Sequence, residues 1–422
     1  MRRFLLLAAA VFALLGTAVA QPSALAGDWV FRMNGDPTPQ RVALVADGDS
    51  VRGRVYGSAF VGSVDGPDLA FAVRSYLWRG RLDGDRIEGW ILTGSDSSRW
   101  SGDRYRPPGT PRSFDLTPET YHRLVSPTVE PALRIYAGDT VRTTTVDAAG
   151  WSTGGYREHG NRVTRGGNPL TGPFVVEGTL PGDVLAVTLH RVRLNRDWAY
   201  SGDAILSSVL DPQALADREV EGTLVQWVLD PDAGVARLAE PLPTLGAYET
   251  PLTPFLGTIA VAPGGGVTPS SRDSGPYGGN MELSAVREGA TVYLPVGEEG
   301  AYLYLGDGHA AQGDGELTGD ALETSLDVTF SVEVLRYRFY QVPRVETEDA
   351  LVSVGIAGSL DRAVEQATSD LVRCLGEAYG LTDTETALVM GTALRYDIPD
   401  LVQPWISVSA RIDKAVLAGI GG

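Results

Sequence analysis

The chain has 422 residues, long enough for two or three domains, and its 51 glycines and 26 prolines favour a globular, loop-rich protein with more strand than helix. A formal net charge of −18 argues against nucleic acid or an anionic membrane surface as a partner. The single cysteine, Cys374, excludes an intramolecular disulfide.

The N-terminus has the three parts of a secretory signal peptide. Arg2 and Arg3 give a charged start, residues 4–15 form an apolar run, and residues 18–20 (Ala-Val-Ala) form a small-residue cleavage site. We therefore predict that residues 1–20 are removed on export and that the mature protein is secreted or periplasmic. No other run reaches the roughly 18 apolar residues of a membrane-spanning helix.

Residues 21–105 are expected to form a small antiparallel module, either lipocalin-like or another β-barrel. Short alternating segments are interrupted by Gly and Asp turns about every eight to twelve residues, the spacing of sandwiches and barrels. Residues 47–49 and 83–85, both Asp-Gly-Asp, are typical hairpin turns. Residues 106–115 contain several prolines and are predicted to form a stiff linker.

Residues 116–422 are predicted to form a second domain, mainly β with a helical C-terminal part. The alternation over residues 326–334 is that of a half-buried strand. Residues 359–380 show a helical pattern that starts at a serine and ends at a glycine, and Thr382 with Glu385 forms a capping-box pattern. The expected fold class is α+β: a sandwich-like or barrel-like β core, followed by helices, plus the small N-terminal antiparallel β domain.

The stretch GDGHAAQGDGE concentrates polar groups among small residues. On an extended chain Asp307 and His309 point to one side, and so do Asp314 and Glu316. Carboxylates, an imidazole and the amide of Gln312 can bind a divalent cation, or can supply an acid and a base. The glycines also permit close approach of a ligand to the backbone. The alternative is an ordinary Asp/Gly turn between strands.

Two further loops carry candidate residues. Residues 168–173 (NPLTGP) are followed by Glu177, and residues 275–282 (GPYGGNME) contain a Gly-Gly-Asn run. Backbone N–H groups of such a run can form an oxyanion hole. Both loops can equally be plain turns shaped by glycine and proline.

Six segments, taken in order, resemble the acetamidase/formamidase family. They are NPLTGPFVVEG (168–178), PGD (181–183), PFLGTIAVAP (254–263), GPYGGNME (275–282), VYLPV (292–296) and GDGHAAQGDGE (306–316). The resemblance runs from about Leu116 to Val416 and leaves the N-terminal module outside. It implies an enzyme that hydrolyses carbon–nitrogen bonds of small linear amides, releasing ammonia and a carboxylate, and a homodimer or higher oligomer.

On this resemblance we assign candidate roles to individual residues. The candidate catalytic residues are Glu316, Asp314, His309 and Asn280, the candidate substrate-binding residues are Gly278, Gly279, Gln312 and Asn168, and the candidate metal ligands are Asp307, His309, Asp147 and Glu177. A divalent cation, zinc or calcium, would lower the pKa of its bound water and polarise the amide carbonyl. Glu316 or Asp314 would be the base that later gives the proton to the leaving amine.

The chain departs from the family pattern at three positions. Leu180 stands where an acidic residue is usual, Glu282 where Asp is usual, and Ala148 where a cysteine commonly follows Asp. The loss of that cysteine argues against a thiol nucleophile. The changes at the two acidic positions leave the substrate and the rate open.

Two other functions remain as alternatives. Export suits hydrolysis of a different carbon–nitrogen bond, in a cyclic amide or a cell-wall fragment. The altered acidic positions instead favour an inactive relative that binds a ligand, with the N-terminal module holding an apolar or sugar molecule.

Overall fold

The computed structural model describes residues 24–153, 162–217, 222–336, 338–402 and 404–420. The predicted signal peptide, residues 1–20, lies outside the described residues. The chain divides into two compact units, Met1–Arg106 and Pro107–Gly422. No helix in the described part of the chain is long and apolar enough to cross a membrane.

The first unit is a closed barrel of eight antiparallel strands. They are β1 (Gly27–Met33), β2 (Asp36–Asp47), β3 (Ser50–Val55), β4 (Ser58–Asp65), β5 (Asp68–Val73), β6 (Tyr76–Asp83), β7 (Arg86–Thr93) and β8 (Asp96–Arg104). Each strand pairs with the next, and β1 closes the barrel on β8. Asp47 pairs with Ser50, and Asp83 pairs with Arg86, which confirms both predicted hairpin turns.

Aromatic side chains fill the interior of the barrel. The rings of Phe60 and Phe71 stack with centroids 4.0 Å apart. Trp78 lies 5.4 Å from Phe71, and Trp100 lies 5.2 Å from Trp78. Glycine makes room for these rings, since a Cβ on Gly53 would lie 2.7 Å from the ring of Phe60. A ligand of this module therefore has to bind outside the aromatic interior.

The second unit contains two β-sheets, whose strands are numbered along the chain. The eleven-stranded sheet consists of β10 (Leu133–Ile135), β12 (Leu170–Val176), β14 (Trp198–Gly202), β15 (Leu224–Asp230), β16 (Val235–Leu238), β17 (Glu249–Pro251), β18 (Phe255–Val261), β19 (Ser274–Gly275), β20 (Gly278–Asn280), β22 (Leu303–His309) and β23 (Glu323–Thr324). Strands β23, β22, β18 and β20 are neighbours in that order.

The nine-stranded sheet completes the unit. It consists of β9 (Ser113–Asp115), β11 (Thr140–Thr144), β13 (Val184–Leu194), β21 (Thr291–Pro295), β24 (Leu326–Leu335), β25 (Arg344–Glu346), β26 (Ala350–Ala357), β27 (Arg395–Asp400) and β28 (Ile406–Asp413). The first of these strands lies within the predicted linker. It pairs in parallel with β11, and Phe114 packs against the main core, so this part of the segment is structured.

The main hydrophobic core draws residues from both sheets. Phe174 and Leu303 come from the eleven-stranded sheet, and Leu185 and Phe330 come from the nine-stranded one. The rings of Phe174 and Phe330 meet edge to face, with centroids 5.1 Å apart. Burial of apolar side chains from both sheets in one core is the sandwich-like arrangement that the sequence predicts.

Four helices complete the described elements: α1 (Pro212–Ala216), α2 (Leu360–Tyr379), α3 (Asp383–Ala393) and α4 (Lys414–Leu417). Gly380 ends α2 with a φ of 66°, and Thr382 and Glu385 form the predicted capping box of α3. Helix α2 lies directly on β26, because a Cβ on Gly355 would lie 1.9 Å from the carbonyl oxygen of Ala363. The predicted fold class, mainly β with a helical C-terminal part and a small N-terminal antiparallel domain, is confirmed.

Candidate active site

Strand β22 carries Asp307 and His309, and both side chains face Gly257, although Asp307 has a φ of 57° rather than the extended backbone that the period-two spacing assumes. All seven residues of β22 are buried, so this part of the glycine-rich stretch is not an ordinary exposed turn. A Cβ on Gly306 or on Gly308 would lie 2.7 Å from a leucine side chain. These two glycines therefore permit close packing between chain segments rather than the approach of a ligand.

His309 lies at the centre of a buried group of acidic side chains. Its Nε2 is 3.1 Å from Oε1 of Glu323 and 3.5 Å from Oδ1 of Asp307. Its Nδ1 is 3.4 Å from Oε2 of Glu282. None of the four side chains is more than 2% exposed.

Sheet pairing and unusual backbone angles bring the carboxylates together. Glu323 lies directly opposite His309 in the antiparallel pairing of β22 with β23. Glu282 follows β20, and Glu316 ends a single 3₁₀ turn, with φ of 56° and 46° respectively. Residues other than glycine seldom take such angles, and they cluster at functional sites.

Gln312 determines which ring nitrogen of His309 faces Asp307 and Glu323. Its side-chain Nε2 donates to the backbone carbonyl oxygens of Glu282 and Pro399, each at 3.1 Å. Its Oε1 lies 2.9 Å from Nδ1 of His309 and accepts the proton of that nitrogen. With a cation bound, the ring would be neutral and would present an unprotonated Nε2, as in histidine metal ligands whose other nitrogen is held by a partner.

Four buried polar atoms of this group have no hydrogen-bond partner among the described residues. They are Oε2 of Glu282, Oδ1 of Asp307, Nε2 of His309 and Oε2 of Glu323. Each unpaired buried polar group costs about 1–3 kcal/mol, so four in one place fit a bound cation. Two overlapping sets have ligand atoms within 4.8 Å of one another: Glu282, His309 and Glu316, and Asp307, His309 and Glu323.

The charges in this group depend on one another. Burial raises the pKa of Glu282 and of Glu316 well above the usual range. Burial also raises the pKa of Glu323 to about 7, although His309 lowers it. For His309 itself, burial lowers the pKa, but the surrounding carboxylates outweigh burial and hold the pKa well above its ordinary value. Carboxylates this close require protons or a cation to balance them.

Two asparagines and a threonine form a hydrogen-bonded wall beside Asp307. Nδ2 of Asn168 donates to Oδ2 of Asp307 at 3.0 Å and to Oδ1 of Asn280 at 2.7 Å. The hydroxyl of Thr258 donates to the same oxygen of Asn280 at 2.5 Å. Because Oδ1 of Asn280 already accepts two hydrogen bonds, the amide nitrogen is the group that this side chain offers to a ligand.

A polar cavity of about 310 Å³ lies against this group. Its lining includes Asn168, Asn280, Glu282, Asp307, Glu316 and Glu323. Tyr200, Arg272 and Asp320 also line it. Burial and the nearby Asp307 raise the pKa of Asp320 to about 6. Sites for small molecules typically have volumes of roughly 300–1,000 Å³.

The glycine of β18 at position 257 makes room for the acidic group. A Cβ at Gly257 would lie 2.8 Å from Oδ2 of Asp307, 2.8 Å from Oε2 of Glu282 and 2.9 Å from Cε1 of His309. Any larger residue at this position would displace the groups that face it.

Several candidate residues lie outside the lining of this cavity. Asp314 occupies the turn before Glu316, and burial together with a neighbouring aspartate raises its pKa. Glu177 is about one-third exposed and pairs with Arg134 at 2.9 Å. A Cβ on Gly278 or on Gly279 would lie 2.3 Å from a backbone carbonyl oxygen, so these glycines permit close contact between chain segments.

Asp147, a candidate metal ligand, is engaged in a buried ion pair. Its Oδ2 accepts a hydrogen bond from Arg196 at 2.7 Å, and neither side chain is more than 1% exposed. Arg196 also stacks 3.5 Å above the ring of Trp198 and donates to the carbonyl oxygen of Glu323. Burial raises the pKa of Asp147 and lowers the pKa of Arg196, so desolvation opposes much of the attraction. This pair connects the loop after β11 to the strand that carries Glu323.

Replacing Arg196 by methionine is expected to lower the free energy of unfolding by about 3–5 kcal/mol, because Asp147 would remain buried without its partner. Urea denaturation measures this change. The double variant Arg196→Met with Asp147→Leu should lose less free energy of unfolding than the single variant, because no unpaired carboxylate remains buried. Arg362→Met on α2, whose pair with Glu365 is 70% and 61% exposed, should lose less than about 1 kcal/mol. Equal losses in Arg196→Met and Arg362→Met would contradict this role.

The sequence analysis does not single out several residues of the site: Glu323, Asp320, Tyr200, Arg272, Thr258 and Gly257. Glu323 becomes a neighbour of His309 only through the pairing of β22 with β23, for which no local motif exists. Glu282 stands out in the sequence only as a replacement for the family's usual aspartate.

Comparison with known proteins gives concordant matches. A sequence model described as the Acetamidase/Formamidase family matches residues 257–351, the segment that contains β18, β20, β22 and β23. A candidate formamidase of Schizosaccharomyces pombe is 27% identical over 213 residues, and the match covers 40% of this chain and 52% of that protein. The chain thus matches about half the length of this curated relative.

Solved structures are similar over about three-quarters of the chain. A predicted acetamidase/formamidase of Thermoanaerobacter tengcongensis is 26% identical with a TM-score of 0.61, covering 74% of this chain and 99% of that one. An acetamidase of Bacillus halodurans is 26% identical with a TM-score of 0.62, covering 73% of this chain and 100% of that one. An acetamidase of Yersinia enterocolitica is 26% identical with a TM-score of 0.62, covering 73% of this chain and 93% of that one.

Proposed function

Because the chain belongs to the acetamidase/formamidase family, we propose that it hydrolyses the carbon–nitrogen bond of a small linear amide, releasing ammonia and a carboxylate. The observation that carries this proposal is the buried group of acidic side chains around His309 beside a cavity of about 310 Å³. Amide hydrolysis needs an activated water, stabilisation of the carbonyl oxygen and a proton for the leaving amine. Groups suited to each task line this one cavity.

The proposal includes a divalent cation, zinc or calcium, held by Asp307, His309 and Glu323. The unpaired atoms of these three residues fit such a ligand set, and Gln312 holds the other ring nitrogen of His309. Carboxylate oxygen and imidazole nitrogen are zinc ligands, and carboxylate oxygen is the preferred ligand of calcium. When bound, the cation would supply a water of lowered pKa and polarise the amide carbonyl.

Glu316 transfers the proton in this proposal. It lines the cavity, and burial raises its pKa above the ordinary carboxylate value, which suits a group that takes up and returns a proton during the reaction. Its carboxylate removes a proton from water as the water oxygen bonds to the amide carbon. Protonated Glu316 then donates that proton to nitrogen as the carbon–nitrogen bond breaks, so that ammonia leaves together with the carboxylic acid, which then ionises to the carboxylate. The amide nitrogen of Asn280 donates a hydrogen bond to the carbonyl oxygen.

Cavity size favours one alternative, the hydrolysis of a larger or cyclic amide. The cavity of about 310 Å³ is about ten times the ~30 Å³ share of one water molecule. Acetamide has only a few non-hydrogen atoms and would leave much of this space to water. A ring amide or a cell-wall fragment would fill more of it.

Export belongs to the same proposal and rests on the sequence alone. The charged start, apolar run and cleavage site of residues 1–20 support a secreted or periplasmic mature protein. N-terminal sequencing of the protein from its own cells tests this. A first residue near Gln21 is expected, and a protein that keeps residues 1–20 would contradict export. A homodimer or higher oligomer is expected from the family, and the mass in solution tests that state.

Ammonia release from a substrate panel tests the proposed reaction. The panel contains formamide, acetamide, propionamide, larger linear amides and cyclic amides, each added to the full-length protein. Release from at least one linear amide supports the proposal. Turnover of cyclic amides but of no linear amide would instead support the alternative, the hydrolysis of a cyclic amide. Binding of an amide without any turnover would contradict hydrolysis and favour the ligand-binding alternative.

Gly257→Ala is expected to lower kcat/KM by about 100-fold, because the added Cβ displaces Asp307, Glu282 and His309, and a misplacement of about 1 Å is enough for such a loss. Steady-state ammonia release measures it. Gly313→Ala is the matched control, since a Cβ there would meet nothing within 4 Å. Full activity in Gly257→Ala would show that the acidic group does not do the chemistry.

A further inference from the structure

The outer face of the barrel carries a groove of about 980 Å³ that the proposed reaction does not use. Glycine shapes it where β6 and β7 meet. Gly80 pairs directly with Gly89, and a Cβ on Gly89 would lie 1.9 Å from the carbonyl oxygen of Arg79. Glycines inside strands mark tight bends and close backbone approach. The bend turns this outer face into a concave surface.

One row of side chains crosses the groove through the strand register. Arg79 of β6 pairs with Trp90 of β7, and Trp90 pairs with Arg99 of β8. The Trp90 side chain is 45% exposed, and the guanidinium carbon of Arg99 lies 4.9 Å from its ring centroid. Neighbouring strands are about 4.8 Å apart, so the two arginines start from strands about 10 Å apart with the aromatic ring between them.

Charge distinguishes this row from the rest of the groove. The lining contains five arginines and three acidic residues. Arg32, Arg81 and Arg86 pair with acidic side chains at 2.5, 3.1 and 2.9 Å. Within the described residues, Arg79 and Arg99 form no ion pair. In a chain of net charge −18, this face therefore offers two arginines outside any ion pair beside an exposed aromatic ring, and Asp65 is the remaining acidic residue of the lining.

We propose that this groove binds an anionic polysaccharide whose sugar rings carry carboxylate groups. One sugar ring stacks on Trp90, and carboxylates on either side of it pair with Arg79 and Arg99, since guanidinium groups match carboxylates in two-point hydrogen bonds. Ser63, Ser101 and Asn34 line the same groove and offer hydrogen bonds to sugar hydroxyl groups. Single-stranded nucleic acid could use the same ring and the same two arginines, so it is one of the ligands compared in the test below.

Native-gel affinity electrophoresis of the full chain in polygalacturonate tests the proposal. The expected result is retardation by polygalacturonate, weakened by added salt and absent with neutral dextran. Trp90→Ala should weaken the interaction by about 30-fold, as expected for a central aromatic contact. The double variant Arg79→Ser with Arg99→Ser should weaken it to a similar extent.

Matched controls use other exposed residues of the same barrel. Tyr76→Ala removes an aromatic side chain that is 44% exposed, and Arg52→Ser with Arg54→Ser removes two arginines outside the groove. Both controls should keep the wild-type retardation. The proposal is overturned if polygalacturonate does not retard the full chain, if dextran retards it equally, if single-stranded DNA binds more tightly, or if the groove variants behave like the controls.

Discussion

Replacing Glu316 by glutamine is expected to lower kcat for amide hydrolysis by about 10²- to 10⁴-fold, the contribution typical of a general acid–base group. Glutamine keeps an oxygen able to accept the hydrogen bond that Oε1 of Glu316 receives from the backbone N–H of Ala321 at 3.0 Å. The turn should therefore remain folded, and KM should change little. Steady-state ammonia release gives both constants, and thermal unfolding checks the fold.

Asp314→Asn is the matched control for Glu316→Gln. Asp314 belongs to the same 3₁₀ turn but does not line the cavity. The kcat of the Asp314→Asn variant should therefore stay close to that of the unaltered protein. If Asp314→Asn loses as much activity as Glu316→Gln, the turn matters through its structure. If Glu316→Gln keeps full kcat, proton transfer by Glu316 is refuted.

Replacing His309 by glutamine is expected to weaken divalent cation binding by more than about 100-fold. Mutating only a hydrogen-bond partner of a metal ligand typically lowers metal affinity about 10- to 100-fold. His309 is itself a candidate ligand and belongs to both candidate sets, so its loss should cost more. Activity should fall in parallel. Metal content per chain, with zinc and calcium titrated into metal-stripped protein, measures the first effect, and ammonia release measures the second.

His190→Gln is the control for His309→Gln. His190 lies on β13, is exposed, and pairs with Ser331 at 2.8 Å, away from the acidic group. The His190→Gln variant should bind the cation and turn over substrate like the unaltered protein. Stoichiometric cation binding by His309→Gln at unchanged affinity would mean that the ligands lie elsewhere.

The sequence predicts one strand of the site well, because strand periodicity is local. The alternation in GDGHAAQGDGE places Asp307 and His309 on one face, and the structure has them there. The same stretch misleads on its glycines. Gly306 and Gly308 face leucine side chains of other segments, a contact between parts of the chain that no local pattern encodes.

The remaining carboxylates come together through long-range pairing. Glu323 lies beside His309 because the register of β22 with β23 places it there. Glu282 lies beside His309 because its own backbone, after β20, is in the left-handed region. Neither event has a signal in the residues around it. Asp147, a candidate metal ligand, forms a buried ion pair with Arg196, 49 residues away in the sequence, and no local pattern predicts this contact.

In the barrel, too, the sequence predicts the local features but not the contacts between distant strands. Its turns and alternation are local, and both Asp-Gly-Asp hairpins form as predicted. Whether the interior is open or filled depends on the stacking of rings from different strands, such as Phe71 on Trp78. Only the closed structure shows that a ligand of this module has to bind outside.

The central claim is that the carboxylates around His309 hold a catalytic divalent cation. The most direct test is to measure the metal content of the purified full-length protein, strip it with a chelator, and follow ammonia release as zinc or calcium is added back. We predict one divalent cation per chain, loss of activity on stripping, and recovery with one of the two metals. Metal-free protein that hydrolyses amides at the original rate would contradict the account.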